Sequence, residues 1–314
     1  MFLDQLLREL PDATVIGKTE EIQINAIAHD SRDVQPGALF VCIRGLKADG
    51  HRFADDAVQK GAVALVCEEL PALGGEKMVG SAGALETTEG LVVVLTPDSR
   101  VALGRLAAAF YGRPSDKLRL IGVTGTNGKT TTTYFTEALL SRAGRPAGVI
   151  GTIGAKMGKE TLAPHLTTPE PLELQRLLSR MVEAGVKYVT MEVSSHAMAL
   201  NRVEGCEFDT AIFTNLSRDH FDFHRNFDDY FRAKLKLFSS LGQNARKPGP
   251  KVAVLNADDL HSAEIARQIS GRLDRILTYG ITEKADLQAE ILTVSRKGSS
   301  FVMQTPAGSM VVNL

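Results

Sequence analysis

The chain has only three cysteines in 314 residues, and none falls in a Cys-x-x-Cys spacing. Three cannot pair off completely inside one chain. Cys42 and Cys67 lie in apolar, strand-like runs while Cys206 stands alone, so they read as reduced thiols of a cytoplasmic protein rather than a disulfide framework or a zinc site. Net charge is also nearly absent, at -1, so no overall field favours nucleic acid or an anionic membrane. No apolar run is long enough to span a bilayer, and the N-terminus lacks the charged start and apolar stretch of a signal peptide. Repeats and low-complexity tracts are missing too. What remains is a globular composition, 44% hydrophobic and 23% charged, of a length that suggests two domains.

Short apolar runs alternate with helical patterns, the signature of parallel α/β layers. Residues 1–10 read as an amphipathic helix. Strands are expected at 38–43, 62–67 and 91–95, with a helix at 52–60 and an irregular glycine-containing excursion at 71–90. A helix at 98–111 ends at Gly112-Arg113-Pro114-Ser115, and the domain junction is placed near this helix, giving domains 1–98 and 99–314. The second domain then offers strands at 119–123, 147–150, 188–193, 210–213 and 252–255. Its helices are expected at 130–143, 171–184, 228–240 and 263–269, and the last forty residues read as short strands with turns, including 300–305 and 309–312.

Between the strand Leu120-Ile121-Gly122-Val123 and the helix starting at Thr130 lies Thr124-Gly125-Thr126-Asn127-Gly128-Lys129. Glycines here let successive N–H groups face a phosphate at the positive end of a helix. Lys129 would neutralise the outer phosphates and Thr130 would ligate magnesium, with Thr131 following in the first helical turn. The generic loop G-x-x-x-x-G-K-[ST] wants glycine at position 123, where this chain has Val, so the match is to the shorter G-x-x-G-K-T. The alternative is a glycine turn with a solvated lysine.

Two further segments leave strands at the edge where α/β sheets bind ligands. In Met191-Glu192-Val193-Ser194-Ser195-His196 a carboxylate can complete a magnesium shell; a capping serine and a surface glutamate are the alternatives. Thr214-Asn215-Leu216-Ser217-Arg218-Asp219-His220 leads to Asp222-Phe223-His224 and a helix with Lys234 and Lys236, which taken alone read as structural histidines and solvated lysines. Leu166-Thr167-Thr168-Pro169-Glu170 precedes a helix at Pro171, where hydroxyls and free N–H groups can hold an anion. His29 to Val41 and Gly45-Leu46-Lys47-Ala48-Asp49-Gly50-His51 supply turn residues, a hydroxyl and a basic group, otherwise an ordinary loop.

Gly122-Val123-Thr124-Gly125-Thr126-Asn127-Gly128-Lys129-Thr130-Thr131-Thr132 resembles the ATP loop of the Mur ligases, which build the peptide stem of peptidoglycan. The resemblance runs along the whole chain. It implies a small N-terminal UDP-binding α/β domain, and a central P-loop ATPase domain with a mostly parallel sheet flanked by helices. A third, amino-acid-binding domain that the family normally carries is expected to be absent, since the chain stops at Leu314.

By that resemblance Gly125, Thr126, Asn127, Gly128, Lys129, Thr130, Thr131, Asn256 and Asp258 would contact ATP, with a strand-to-helix cap as the alternative for the last two. Thr130 and Glu192 would hold one magnesium ion, and His220 with a carbamylated Lys234 the other. Lys129, His220 and Lys234 are thus the catalytic candidates. An ammonium about 4 Å from a divalent cation would be repelled by roughly 8 kcal/mol at an effective dielectric near 20, whereas a carbamate supplies a hard anionic oxygen. His29, Ser31, Leu46, Lys47, Ala48 and Leu166 would hold the UDP-MurNAc-dipeptide, and Thr167, Thr168, Ser194 and Arg202 would contact its muramoyl-peptide part. A glutamine the family sometimes has two residues before that arginine is Leu200 here.

The implied reaction joins meso-diaminopimelate or L-lysine to UDP-MurNAc-L-Ala-D-Glu through an acyl phosphate, in a cytoplasmic monomer that neither enters a membrane nor binds nucleic acid. The ligase that adds D-Ala-D-Ala, folylpolyglutamate synthase, and a fragment that binds without ligating are the rivals.

Overall fold

The computed structural model describes residues 1–45, 48–73, 76–77, 90–158, 160–163, 166–243, 246–296 and 298–314. Most of the excursion expected at 71–90 falls outside them, as do Leu46 and Lys47. The chain divides into two compact units. The first comprises Met1–Pro114, Glu170–Ser179 and Leu200–Cys206; the second comprises Ser115–Pro169, Arg180–Ala199 and Glu207–Leu314.

The first unit contains α1 (Leu3–Leu7), β1 (Thr14–Ile16), β2 (Ala26–Ala28), β3 (Ala38–Val41), α2 (Ala54–Gln59), β4 (Ala62–Cys67), a two-residue hairpin β5 (Ala72–Leu73) and β6 (Glu76–Lys77), β7 (Val92–Leu95) and α3 (Ser99–Phe110). Its sheet runs β1-β7-β4-β3-β2, parallel except where β1 meets β7. A parallel sheet buries both faces, so its central strands β3, β4 and β7 are apolar throughout. Alternate side chains separate cleanly. Leu39, Val41, Ala64, Val66, Val92 and Val94 pack with Leu3 and Leu6 of α1 and with Ala102, Leu103 and Leu106 of α3. Phe40, Cys42, Leu65, Cys67 and Val93 pack with Ala54 and Ala57 of α2.

Because α3 buries its apolar face in the first of these cores, the first unit extends to Pro114, past the residue-98 boundary expected from sequence. The carboxylate of Asp98 caps this helix, accepting from the N–H groups of Arg100 and Val101. Gly104 sits inside α3 because a Cβ there would overlap Glu204. The opening helix is shorter than the 1–10 expected, since Pro11 disfavours helical geometry at the residue before it. All three cysteines are free; the sulfurs of Cys42 and Cys67 lie 3.6 Å apart across neighbouring strands.

The second unit is built on β8 (Arg119–Thr124), α4 (Lys129–Arg142), β9 (Ala147–Gly151), β10 (Gly154–Met157), β11 (Glu160–Leu162), the end of α5 (Pro171–Glu183), β12 (Tyr188–Glu192), α6 (Ser195–Ala199), β13 (Thr210–Phe213), α7 (Phe227–Ser240), β14 (Val252–Asn256), α8 (His261–Ile269), β15 (Arg275–Gly280), β16 (Leu287–Ser295), β17 (Gly298–Thr305) and β18 (Gly308–Asn313). Among the described residues these strands form one eleven-stranded sheet in the order β11-β10-β9-β12-β8-β13-β14-β15-β16-β17-β18. From β9 to β16 neighbours run parallel, and an antiparallel ribbon closes each end. The central register sets Glu192 beside Val123 and Phe213 beside Thr124, so the carboxyl ends of β12, β8 and β13 finish level.

At the opposite edge, where β8, β13 and β14 begin, lies a buried charge cluster. Asp209 meets Lys247 at 2.7 Å, Arg119 at 3.1 Å and Lys251 at 3.4 Å, and accepts the N–H of Leu120 at 2.8 Å. Glu207 pairs with Lys251 at 2.9 Å. No described helix is long and apolar enough to cross a membrane.

Candidate active site

The loop between β8 and α4 turns through two glycines with positive φ, Gly125 at +151° and Gly128 at +84°. A Cβ on Gly125 would overlap the hydroxyl of Thr214, so glycine is required by packing as well as by backbone geometry. Val123, at the position of the generic first glycine, is the fully buried penultimate residue of β8. The strand therefore continues to Thr124, and only the shorter loop remains to turn.

Neighbouring elements brace this loop. The N–H of Thr126 donates to Asn215 O (2.8 Å), and that of Asn127 to Asn215 Oδ1 (3.0 Å). The Thr214 hydroxyl donates to Asn127 O at 2.7 Å. Thr126 Oγ1 donates to Ser217 O (3.2 Å); its single proton is thereby committed, so Tyr230 donates to it across 3.0 Å. Thr126 thus braces the loop through both its side chain and its backbone N–H. Because α4 starts at Lys129, the N–H groups of its first turn have no partner within the helix. The Lys129 ammonium folds back onto Gly125 O (3.0 Å) and Thr126 O (2.8 Å), and burial lowers its pKa.

Glu192, 1% exposed at the end of β12, is the hub beside the loop. Its Oε1 accepts from Thr130 Oγ1 at 2.9 Å and from the N–H of Thr152 at 2.7 Å; Oε2 accepts from Thr152 Oγ1 at 3.3 Å. Thr152 Oγ1 also lies 3.1 Å from Thr167 Oγ1. A chain of oxygens therefore runs from the phosphate loop to the Thr167 segment. Thr152 escaped the sequence reading because nothing marks the residue after β9; only its placement beside β12 reveals it. The glycine before it is diagnostic, since a Cβ on Gly151 would overlap the Glu192 carboxylate. Gly151→Ala should push that carboxylate off Thr130 and Thr152 and, if Thr130 and Glu192 hold magnesium as the sequence suggests, weaken ATP binding in its presence by about tenfold or more. Titrating ATP with and without magnesium checks this: affinity in the absence of the metal should barely change.

Thr168 is fully buried and donates to Glu192 O at 2.9 Å, while Ser194 Oγ accepts from the N–H of Ala197 at 3.1 Å and so caps α6. Both hydroxyls have structural work, and Thr167 rather than Thr168 presents its oxygen to the chain from Glu192. Leu166 is exposed.

Lys234 on α7 is 1% exposed, donates to Gly125 O at 2.8 Å and lies 4.4 Å from the centroid of the Tyr230 ring. Burial and the neighbouring Lys129 bring its pKa down to about 7, against the opposing pull of Asp219. His220 adopts a left-handed backbone at φ +57°, uncommon for a residue with a side chain, and its ring stacks edge-on against His196 at 4.8 Å. His220 and Lys234 share Tyr230 as a neighbour. His224 is buried, which lowers its pKa, and its Nε2 has no hydrogen-bond partner.

Asn256 Nδ2 donates to Thr214 O at 2.7 Å, tying β14 to the residue that braces the loop. Asp258 does otherwise. Its carboxylate accepts from Ile281 N, Thr282 N, Thr282 Oγ1 and Glu283 N, and these bonds, that from Glu283 foremost, hold its pKa at about 2. It caps the turn after β15. Asp259 instead faces the site side, accepting from the N–H of Leu216 at 2.6 Å and from the His261 ring at 2.8 Å.

The remaining substrate candidates belong to the first unit. His29, Ser31 and Ala48 line a cavity of about 520 Å³ together with Arg32, Arg100 and Glu170. Arg202 forms an ion pair with Glu170 at 2.9 Å.

A strand–glycine loop–helix at the carboxyl edge of a parallel sheet, with a lysine and a hydroxyl at the helix start and a strand-end carboxylate beside them, defines a phosphate-loop nucleotide-binding protein. Residues 123–314 match the Mur ligase middle domain, and residues 23–111 match the Mur ligase family catalytic domain. The chain belongs to the Mur ligase family.

Among curated relatives, the UDP-N-acetylmuramoyl-L-alanyl-D-glutamate--2,6-diaminopimelate ligase of Geobacillus thermodenitrificans is 44% identical over 312 residues, covering 99% of this chain and 60% of that protein. The ligase of the same name from Bacillus licheniformis is 42% identical over 314 residues, covering 100% and 60%. A solved structure of a ligase with that name superposes with a TM-score of 0.76 at 29% identity, covering 94% of this chain and 56% of the other. The chain thus spans about 60% of the length of the curated relatives it matches.

Proposed function

We propose that the chain carries the nucleotide-sugar-binding and ATP-binding parts of a cytoplasmic, monomeric ligase that adds 2,6-diaminopimelate to UDP-MurNAc-L-Ala-D-Glu. The observation that carries this reading is the run of oxygens from Thr130 through Glu192 and Thr152 to Thr167. It joins a phosphate loop to a segment able to hold an acidic substrate, which is where a carboxylate would meet a γ-phosphate.

In the proposed reaction an oxygen of the dipeptide's terminal carboxylate bonds to the γ-phosphorus as the β–γ bridge breaks, giving an acyl phosphate and ADP. The incoming amine then bonds to the acyl carbon, the carbon–phosphate oxygen bond breaks, and the amine loses a proton. Lys129 and the first N–H groups of α4 face the charge that spreads over the transferring group. Thr130 Oγ1 and the Glu192 carboxylate, 2.9 Å apart beside the loop, offer the hard oxygens that magnesium prefers, so these residues would hold the metal. Bound there, magnesium would neutralise phosphate charge.

Lys234, with a pKa of about 7, offers a neutral amine at ordinary pH, able to add to carbon dioxide and lose a proton as a carbamate. His220 and that carbamate are the proposed ligands of a second ion.

The test is calorimetric. UDP-MurNAc-L-Ala-D-Glu should bind the chain at least tenfold more tightly than UDP-MurNAc-tripeptide, with no heat from folate, and Arg202→Ala should weaken it by about tenfold. Preference for the tripeptide would move the assignment to the D-Ala-D-Ala-adding ligase. Binding of neither would leave only the nucleotide loop.

A further inference from the structure

The cavity in the first unit poses a charge problem. Its lining cations are matched: Arg32 holds Asp30 through a 2.9 Å hydrogen bond, and Arg100 lies 3.8 Å from Glu170. Walls of zero net charge make a poor seat for a nucleoside diphosphate. Yet Glu170 is itself bridged. Its Oε2 faces Arg100 and its Oε1 faces the Nε of Arg202 at 2.9 Å, with the three side chains 26%, 17% and 14% exposed. One carboxylate at the cavity wall thus occupies two arginines, Arg100 of the same lining and Arg202 next to it. His29, also in the lining, has a buried Nδ1 without a hydrogen-bond partner, as expected of a site completed by a ligand.

We propose that Glu170 is an internal counter-anion that the diphosphate of the nucleotide sugar displaces, taking over Arg100 and Arg202. The proposal rests on the reading of this cavity as the nucleotide-sugar site. In the empty protein the carboxylate keeps two partly buried guanidinium groups paired and oriented. When the ligand enters, the carboxylate turns aside and both arginines meet an anion of higher charge. The Glu170 backbone does not need to move, because its carbonyl accepts the N–H of Leu174 in the first turn of α5. An inorganic anion must compete with Glu170 without the contacts of a nucleoside, so the carboxylate also acts as a selectivity filter against stray phosphate.

Glu170→Gln tests this, since it removes the charge while keeping shape and the backbone bond. UDP and uridine are titrated into the wild-type chain and the variant by calorimetry at two salt concentrations. UDP should bind the variant about three- to tenfold more tightly, with a steeper loss on adding salt, while uridine should be unchanged. Adding Arg100→Gln should cancel the gain. Unchanged or weaker UDP binding, or an equal gain for uridine, overturns the proposal. If the wild-type chain binds no UDP at all, the nucleotide-sugar reading of the cavity falls and the proposal falls with it.

Discussion

Lys129→Met should weaken ATP binding to the chain by about 100-fold while leaving adenosine binding unchanged. The lysine sits at the first position of α4, and its ammonium spans the loop to Gly125 O and Thr126 O. Those carbonyls hold it over the space that a phosphate would enter, so binding needs only a short swing from backbone oxygen to phosphate oxygen. A charge-assisted hydrogen bond of this kind contributes about 1.5–3 kcal/mol, which sets the expected factor. In a complete ligase the loss of turnover should be larger, about 1000-fold, because the charge on the transferring group grows towards the transition state. Titration with a non-hydrolysable ATP analogue and magnesium provides the measurement. Equal affinity for the analogue in wild type and variant would show that phosphates bind elsewhere.

The largest effect on stability should come from the other edge of the same sheet. Asp209→Ala is expected to destabilise the second unit by about 3–5 kcal/mol and to lower its melting temperature by roughly 10 °C. The reason is what the substitution leaves behind. Lys247 and Lys251 are both buried, and Asp209 is a close partner of each. Lys247 would keep only the carbonyls of Ser115 and Leu118, and the N–H of Leu120 would lose its acceptor.

The cluster also has an acid limit. Burial alone would raise the pKa of Glu207, but the Lys251 ammonium and the amides of Arg246 and Lys247 outweigh it and lower the net value. A carboxylate with a depressed folded pKa contributes fully above its ordinary range, and that contribution is lost as pH falls through the folded value. Thermal melts from pH 7 down to pH 3 should therefore show stability falling at the acid end. A melting temperature for Asp209→Ala within a degree or two of wild type would mean the buried lysines had found other partners.

Much of this architecture was legible because burial writes itself into composition. Strands at 62–67 and 210–213 are where the apolar runs put them, and for 62–67 the reason is plain: a parallel strand covered on both faces has no polar positions to blur its ends. β1, β2, β10 and β11 were not legible. Each is three or four residues long, with too few positions for a period to register. The first compact unit runs past residue 98 to Pro114, since a helix's sequence shows that one face is apolar, not which core receives it.

The site divides along the same line. That Lys129, Thr130 and Glu192 lie near one another follows from loop chemistry and strand ends. Thr152, Tyr230 and Asp259 were not legible, because they act through contacts with residues 40, 104 and 43 positions away. Asp258 and Thr168 show the converse: a polar residue in a promising motif can have its hydrogen bonds taken up largely by nearby backbone.

The two ends of β8 have separate duties, and this has a practical meaning for protein engineering. Arg119 belongs to the charge cluster, whereas Thr124 opens into the nucleotide loop, and five residue steps of about 3.3 Å put roughly 16 Å between them. Free-energy changes at sites this far apart, with no shared partners, add nearly independently. Thermal tolerance could thus be tuned by substitutions at one rim without altering the chemistry at the other, and variants selected separately for each trait should combine in one chain with little interference.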